Sequence, residues 1–298
     1  MEASVLDGVR DRRLTRPDGR VVAWTDWGPA AGTPLLRVPG TPGSRFTIRA
    51  DRSPWVERNL RAITTERPGF GASTRLPGRG FAEHADDLAA ILDEVGVESV
   101  FVLGGSGAAP HELAFAARHP DRVRALTVLV GAAPLQDDEV AQMIPVNQES
   151  YRLVRGGDVA GLTALLESYR EPMRADPLTA LSGLMATAPE ADKRVMADPG
   201  WQASIVLATR EALAQGVDGW VDEALAIERD WADVDVEAVQ TSITWWHAPG
   251  DVNAPLSAAR RLVDRLPHAE LRLFGEDDGH LAGYHREPEI LDELLARG

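Results

Sequence analysis

The sequence contains no cysteine among its 298 residues. This absence excludes disulfide bonds, thiol nucleophiles, and zinc or iron–sulfur sites that use cysteine ligands. It leaves the redox compartment open, because a chain without thiols is compatible with reducing and oxidising surroundings alike. The chemistry of the protein must therefore be sought among its other side chains.

Long apolar runs are absent as well. No stretch approaches the roughly eighteen apolar residues that would span a bilayer. The start of the chain, residues 1–13, is charged and lacks the apolar core of a secretory signal. We therefore expect a cytoplasmic protein.

Positive charge is scarce relative to negative charge. The chain has 31 Lys and Arg residues against 46 Asp and Glu residues, which gives a formal net charge of −15 at pH 7. This charge repels phosphate backbones and anionic lipid surfaces, so we expect a small-molecule partner and neither nucleic acid nor a membrane. It could slightly favour cationic or neutral substrates, although a solubilising acidic surface is the simpler explanation.

The sequence does contain a regular alternation of short apolar runs and helical patterns. A Pro-Asp-Gly turn signal at residues 17–19 precedes an apolar run and predicts a hairpin near the N-terminus. Later strands are predicted at 34–38, 61–65, 99–103 and 125–130, and helices at 53–60, 81–95 and 110–118. Ser53 is expected to cap the first of these helices, with Pro54 at its first position. The alternation predicts the α/β class, with a mostly parallel sheet flanked by helices.

This alternation stops after Pro134. From residue 135 to residue 231 only helical patterns occur, at 161–169, 201–215 and 220–228. Strands and helices then resume at 242–246, 257–266, 271–274 and 289–296. An all-helical insertion of this kind predicts a cap domain at residues 135–235, above a core domain formed by residues 1–134 and 236–298.

The most informative stretch joins the strand predicted at 99–103 to the helix predicted at 110–118. It reads Gly104, Gly105, Ser106, Gly107, Ala108. A nucleophilic serine on such a tight turn has an exposed hydroxyl, and small neighbours allow the strand and helix backbones to pass closely. The alternative interpretation is a serine that only caps the helix. The strand–turn–helix context favours the nucleophile.

This stretch resembles the Gly-x-Ser-x-Gly motif of α/β-hydrolases with a helical cap, with Ala108 in place of the last glycine. The resemblance extends over about residues 20–296, and in that family the acid and then the histidine follow the serine in chain order. Asp251 lies in the loop after the strand at 242–246, and His280 follows Gly279 after the strand at 271–274. The resemblance therefore implies a catalytic triad of Ser106, His280 and Asp251.

The acid and the base of this triad each have an alternative. Asp251 follows a glycine and could be an ordinary turn residue, and His285 is a rival for the role of base. His247 is expected to pack beside the loop of Asp251. The remaining histidines occupy helix or turn positions: His84, His111, His119 and His268.

Two further fragments resemble the same family. Residues 39–43, Pro-Gly-Thr-Pro-Gly, resemble its His-Gly-x-Pro-Gly loop, with Pro39 in place of histidine. The resemblance implies an oxyanion hole formed by the backbone N–H groups of Thr41 and Gly107. Residues 66–73 resemble its Asp-Arg-Pro-Gly-x-Gly-x-Ser turn, with Glu66 in place of aspartate. We interpret that turn as structural support for the oxyanion loop.

A serine nucleophile indicates acyl transfer, and we predict a serine hydrolase that acts on a small-molecule ester or lactone through an acyl-enzyme intermediate. The alternatives are a proline-iminopeptidase-like amidase and a non-hydrolytic lyase or receptor of the same fold. A nucleotide-dependent dehydrogenase is disfavoured because Gly-x-Gly-x-x-Gly spacing is lacking. The mechanism requires no cofactor. No metal site is expected, although some acidic residues could bind cations loosely: Asp137, Asp138, Asp277 and Asp278.

The predicted cap contains large apolar side chains that could line a substrate pocket. They are Trp201, Trp220, Trp231, Met143, Met173, Met185 and Met196. Side chains of this kind more often form the core of the cap itself, so the sequence assigns none of them to a substrate.

Overall fold

The computed structural model describes residues 5–229 and 231–298. Its strands form one sheet in the order β1-β2-β4-β3-β5-β6-β7-β8. In chain order they are β1 (Arg10–Thr15), β2 (Val21–Trp27), β3 (Thr33–Val38), β4 (Leu60–Thr65), β5 (Val100–Gly105), β6 (Val123–Leu129), β7 (Ser242–His247) and β8 (Ala269–Leu273). β2 pairs antiparallel with β1 and β4, and the other neighbours are parallel. The predicted α/β class with a mostly parallel sheet is confirmed.

The helices that the structure describes in full lie between and after these strands. They are α1 (Ser53–Val56), α2 (Ala82–Glu94), α3 (Ala109–Arg118), α4 (Asp137–Val140), α5 (Pro145–Arg155), α6 (Val159–Ala175), α7 (Pro177–Leu184), α8 (Glu190–Met196), α9 (Pro199–Ala212), α10 (Asp218–Ile227), α11 (Leu256–Val263) and α12 (Glu287–Leu295).

The hairpin predicted near the N-terminus is the pair β1–β2, which registers Thr15 opposite Val21. The helix predicted at residues 53–60 is shorter than expected, because only Ser53–Val56 is helical. Ser53 is the first helical residue rather than the cap, and its N–H donates to Asp51 Oδ1 at 2.9 Å. A turn at residues 57–59 then leads into β4, which begins at Leu60.

Two apolar cores cover the two faces of the sheet. On one face, Leu36 and Val102 pack with Leu113 of α3. On the other face, Leu35 and Leu103 pack with residues of α1 and α12. Successive strand residues therefore enter opposite cores, as the two-residue period of a strand requires. Both cores are closed by helices, which leaves the carboxyl ends of the parallel strands as the open edge of the sheet.

The described residues between β6 and β7 form seven α-helices, α4 to α10, and no strand. Leu153, Leu162 and Val221 from three of these helices pack together in a small core of their own. Ile227 and Trp231 differ, because they belong to the core on the face of the sheet that α3 covers. The helical insertion is thus anchored to the sheet through its last helix.

Candidate active site

Three loops at the carboxyl ends of parallel strands converge at the candidate site. Ser106 follows β5, Asp251 follows β7, and His280 follows β8. Parallel strands bring their carboxyl ends to one edge of the sheet, which is where open α/β sheets bind ligands. Side chains that are distant in sequence can therefore meet there.

Ser106 occupies a strained turn. Its backbone φ is +55°, in the left-handed region that side chains other than glycine rarely adopt. The glycines around it leave no room for a side chain: a Cβ at Gly105 would lie 2.5 Å from the Leu129 carbonyl oxygen, and one at Gly107 would lie 2.3 Å from Thr41 Oγ1. The crowding explains why the turn consists of such small residues.

His280 and Asp251 are joined directly. Nδ1 of His280 lies 2.8 Å from Oδ2 of Asp251. The other carboxylate oxygen of Asp251 accepts hydrogen bonds from the backbone N–H groups of Asn253, at 2.7 Å, and Ala254, at 3.0 Å. A carboxylate only accepts, so Nδ1 of His280 carries the proton, and Nε2 is free to accept another.

The pKa of His280 reflects opposing influences. Burial lowers it, but the charge and hydrogen bond of Asp251 and the charge of Asp192 raise it, and the pKa lies above its usual value of 6.5. The imidazolium form is therefore favoured beside these carboxylates.

Asp192, on α8, holds the loop of His280 and was missed by the sequence analysis. Its carboxylate accepts hydrogen bonds from the backbone N–H groups of His280, at 2.8 Å, and Leu281, at 2.9 Å. A Cβ at Gly279 would lie 2.4 Å from Asp192 Oδ2, which explains the glycine before the histidine. No pattern in the sequence marks Asp192, because its partners are backbone groups 88 and 89 residues away.

Cavities surround Ser106. Three of them, of about 120, 230 and 320 Å³, include Ser106 in their walls, and His280 lines the latter two. In the part of the chain that the structure describes, no hydrogen bond joins the side chains of Ser106 and His280. The two side chains therefore face a common space without a direct bond between them.

Six of the seven Trp and Met side chains named above for the predicted cap line these cavities. Those that contribute to the walls are Met143, Met173, Met185, Met196, Trp201 and Trp220. Trp231 behaves differently: its ring packs against Phe81, with ring centroids 5.8 Å apart, in the core of the sheet. The space around Ser106 is thus bounded on the helical side by sulfur and aromatic groups.

The loop after β3 packs against the serine turn. A Cβ at Gly40 would lie 3.2 Å from Ser106 Cβ, and Thr41 contacts Gly107 as described above. Arg67 donates hydrogen bonds to the carbonyl oxygens of Pro39 and, at 2.6 Å, Gly40. The turn at residues 66–73 therefore touches this loop, as its sequence predicts.

A buried ionic cluster lies behind that loop. Glu223, on α10, accepts hydrogen bonds from Thr41 Oγ1 at 3.0 Å and from Arg79, and its carboxylate lies 3.0 Å from Arg67 Nε. His111 Nε2 is 3.1 Å from the same carboxylate. Burial alone would raise the pKa of Glu223, but the two guanidinium groups and His111 lower it well below its usual value. The sequence carries no signal for this cluster, because its members come from four separate segments.

The other histidines have separate environments. His285 packs edge-on against the ring of Tyr284, with centroids 5.0 Å apart. His247 is buried, with Nε2 2.8 Å from the carbonyl oxygen of Ala254 in the loop of Asp251. Burial lowers the pKa of His111 to about 4, so its ring is neutral at pH 7. Only His280 among the described histidines contacts Asp251 through a hydrogen bond.

Two kinds of feature are absent from residues 5–229 and 231–298. No group of three or more His, Asp or Glu side chains is arranged to hold a metal ion. No helix there combines the length and the apolar character needed to cross a membrane.

Comparisons with known proteins agree with this architecture. The family model of the alpha/beta hydrolase fold matches residues 34–282. The chain is 29% identical over 122 residues to a bifunctional esterase/perhydrolase of Acinetobacter calcoaceticus, covering 41% of this chain and 44% of that protein. It is 29% identical over 256 residues to a 2-hydroxy-6-oxo-2,4-heptadienoate hydrolase of Pseudomonas putida, covering 82% of each. A thermophilic esterase from Thermogutta terrifontis has a similar fold, with a TM-score of 0.67, 19% identity, and coverage of 96% of this chain and 98% of that one.

Proposed function

Because the chain belongs to the alpha/beta hydrolase fold family, we propose that it is a serine hydrolase that cleaves small-molecule esters or lactones. The proposed nucleophile is Ser106, the base is His280, and Asp251 orients and stabilises the base. The observation that carries the proposal is the 2.8 Å hydrogen bond between His280 and Asp251 beside a cavity that Ser106 also lines.

The acylation step follows from these groups. Ser106 Oγ attacks the acyl carbon, and Nε2 of His280 accepts the hydroxyl proton. The imidazolium returns that proton to the leaving alcohol as the ester bond breaks. Asp251 holds the tautomer with the proton on Nδ1 and stabilises the imidazolium that forms. A water molecule then repeats the sequence on the acyl-enzyme and releases the acid.

The oxyanion that forms on the acyl oxygen needs donors at a fixed position. The proposed donors are the backbone N–H groups of Thr41 and Gly107. The contact between these two residues supports the assignment, since it brings both backbone segments next to Ser106. Arg67 and Glu223 hold the loop of Thr41 through its carbonyl and hydroxyl groups.

The proposal extends to the organisation of the chain and its surroundings. Residues 135–235 would form a cap over the core domain, because side chains of α7, α8 and α9 contribute to the cavity walls. We propose a cytoplasmic location and a small-molecule substrate; the formal net charge of −15 disfavours nucleic acid and membrane partners.

The test is intact-mass analysis after treatment with a fluorophosphonate. The untreated and treated parent chain, Ser106→Ala and Ser204→Ala are compared. Ser204 is a matched control, because it lines the same cavity and its hydroxyl already donates to the Gly200 carbonyl oxygen at 3.0 Å. We expect one adduct on the parent and on Ser204→Ala and none on Ser106→Ala.

Turnover of p-nitrophenyl butyrate provides the second readout. Ser106→Ala and His280→Ala should each lower kcat by a factor on the order of 10⁴ to 10⁶, since triad members act as a unit. An adduct that persists on Ser106→Ala, or no adduct on the folded parent, would contradict the assignment. Faster turnover of an L-proline anilide than of any ester or lactone would favour the amidase alternative.

A further inference from the structure

A pair of arginine side chains lines the cavity of about 230 Å³ that also contains Ser106 and His280. Arg37 projects from β3 and Arg49 from the segment after the loop of Thr41. Arg37 pairs in register with Leu103 of β5, three residues before Ser106. At about 3.3 Å per strand residue, the backbone positions of Arg37 and Ser106 are roughly 10 Å apart along the strand direction.

The guanidinium group of Arg37 has unused donors. Within residues 5–229 and 231–298, its side chain makes no hydrogen bond, and its nearest carboxylate oxygen, Oε1 of Glu287, lies 3.6 Å away. This separation is longer than the 2.7–2.9 Å typical of a charge-assisted hydrogen bond. A guanidinium carries five N–H donors, so Arg37 can bind a further acceptor in a bidentate manner.

Arg49 is held in place beside it. Nη1 of Arg49 donates to the Tyr284 carbonyl oxygen at 2.7 Å, and its guanidinium carbon lies 3.6 Å from the centre of the Tyr284 ring. Its Nε is 3.3 Å from Oε2 of Glu287 without a hydrogen bond, and both atoms are buried. Arg49 is therefore oriented by Tyr284 and only loosely neutralised by Glu287.

The charges in this part of the cavity do not balance. Arg37, Arg49 and Glu287 are the charged side chains in its wall when His280 is neutral, which leaves one positive charge in excess. The buried Glu112 is a weak counter-charge, because burial favours its neutral form and raises its pKa well above its usual value, against the lowering effect of Arg37 and Arg67. Burial of an incompletely paired cation is unfavourable, and an anion bound between the two guanidinium groups would remove that cost.

We propose that Arg37 and Arg49 form a binding subsite for a carboxylate at the far end of the acyl chain of the substrate. The inference rests on the proposed hydrolase function and specifies its substrate class as monoesters of short dicarboxylic acids. An extended chain covers about 3.6 Å per three bonds, so the five bonds of an adipyl group span roughly 6 Å. Because both guanidinium groups line the same cavity as Ser106, an acyl chain of this length would extend from Ser106 towards them within that cavity.

This preference opposes the weak one suggested by the net charge of −15. Surface charges more than about 8 Å away are largely screened at physiological ionic strength, whereas the two arginines in the cavity wall are not. The local charge therefore governs which acyl group binds.

The test compares two esters that differ at one end. Monoethyl adipate carries a terminal carboxylate, and ethyl hexanoate carries a methyl group there. An apolar cavity would favour the hexanoate, whereas the proposed subsite favours the adipate, and we expect a higher kcat/KM for monoethyl adipate. Arg37→Gln should lower the ratio of the two kcat/KM values by about 10- to 100-fold, the usual range for a lost charged hydrogen bond.

Two further variants provide a conservative substitution and a control. Arg37→Lys keeps the charge but loses the bidentate geometry, so its ratio should fall between those of the parent and Arg37→Gln. Arg58→Gln is the matched control, because Arg58 pairs with the exposed Asp292 and does not line the cavity. Its ratio should equal that of the parent. An equal loss on both esters in Arg37→Gln would indicate a purely structural role and overturn the proposal.

Direct binding separates this inference from the hydrolase proposal. In Ser106→Ala, calorimetric titration should detect adipate binding, tighter than that of hexanoate, and Arg37→Gln in the same background should abolish the difference. If the parent protein binds adipate but is not labelled by a fluorophosphonate, the subsite proposal stands and the assignment of Ser106 as nucleophile is wrong. If the parent protein is labelled and hydrolyses esters but shows no preference for adipate, the nucleophile assignment stands and the subsite proposal is wrong.

Discussion

Glu223 is predicted to be essential for the stability of the fold, and Glu223→Gln tests this. Its carboxylate is fully buried, and so are the side chains of Arg67, Arg79 and His111 around it. Glutamine keeps the size and one acceptor oxygen but removes the charge, and its amide N–H groups would face guanidinium donors. Two buried guanidinium groups would then lack a counter-charge.

The expected effect is large. Removal of one partner of a buried ion pair costs about 3–5 kcal/mol, which is a substantial part of the roughly 5–15 kcal/mol by which proteins are stable. We therefore expect Glu223→Gln to lower the free energy of unfolding by about 3–5 kcal/mol in urea titrations at pH 7, followed by tryptophan fluorescence. Because the pKa of Glu223 is depressed, its contribution exists above the unfolded-state pKa and disappears as the pH falls through the lower folded-state value. The same difference should therefore appear at pH 6.

Glu149→Gln is the matched control for this experiment. Glu149 pairs with Arg152 at 2.6 Å on α5, but both side chains are exposed to solvent. Exposed pairs of this kind contribute little, so the same substitution should leave the unfolding midpoint unchanged. The reasoning fails if Glu223→Gln unfolds within about 1 kcal/mol of the parent, because the buried charges would then be neutralised in some other way.

Two further predictions concern the serine turn and the base. Gly105→Ala should destabilise the protein and abolish fluorophosphonate labelling, because the added Cβ would lie 2.5 Å from a backbone oxygen. Gly183→Ala is the control: an added Cβ there meets no atom within 4 Å, so this variant should unfold at or above the parent midpoint. Equal midpoints for the two variants would refute the crowding argument. In pH profiles of kcat/KM, activity should fall as the pH drops through a pKa above 6.5, since only neutral His280 accepts the proton. Asp251→Asn removes the charge that raises the pKa of His280, so burial should move the acidic limb of the variant's residual activity to lower pH. If the limb does not move, the titration belongs to a group other than His280.

Local sequence was sufficient to predict the strand–helix alternation and the turn at Ser106. Both depend on short-range effects: the period of apolar residues selects strand or helix, and adjacent glycines are required where two backbones pass closely. The same information was insufficient at Ser53, because Asp51 accepts the hydrogen bond at the start of the helix and β4 already begins at Leu60. Several helices of the insertion were also not predicted, among them α5, α7 and α8.

Chain order alone, through the family resemblance, indicated Asp251 and His280, because loops after parallel strands share one edge of the sheet. Their 2.8 Å contact is a property of the tertiary structure. The sequence could not predict the carboxylates of Asp192 and Glu223 or the guanidinium groups of Arg37 and Arg49 at this site. In the sequence, a charged residue that faces water cannot be distinguished from one that faces the interior. Only the packing of the helical insertion on the sheet decides which charges are desolvated, and desolvated charges are the ones that determine pKa values and loop positions.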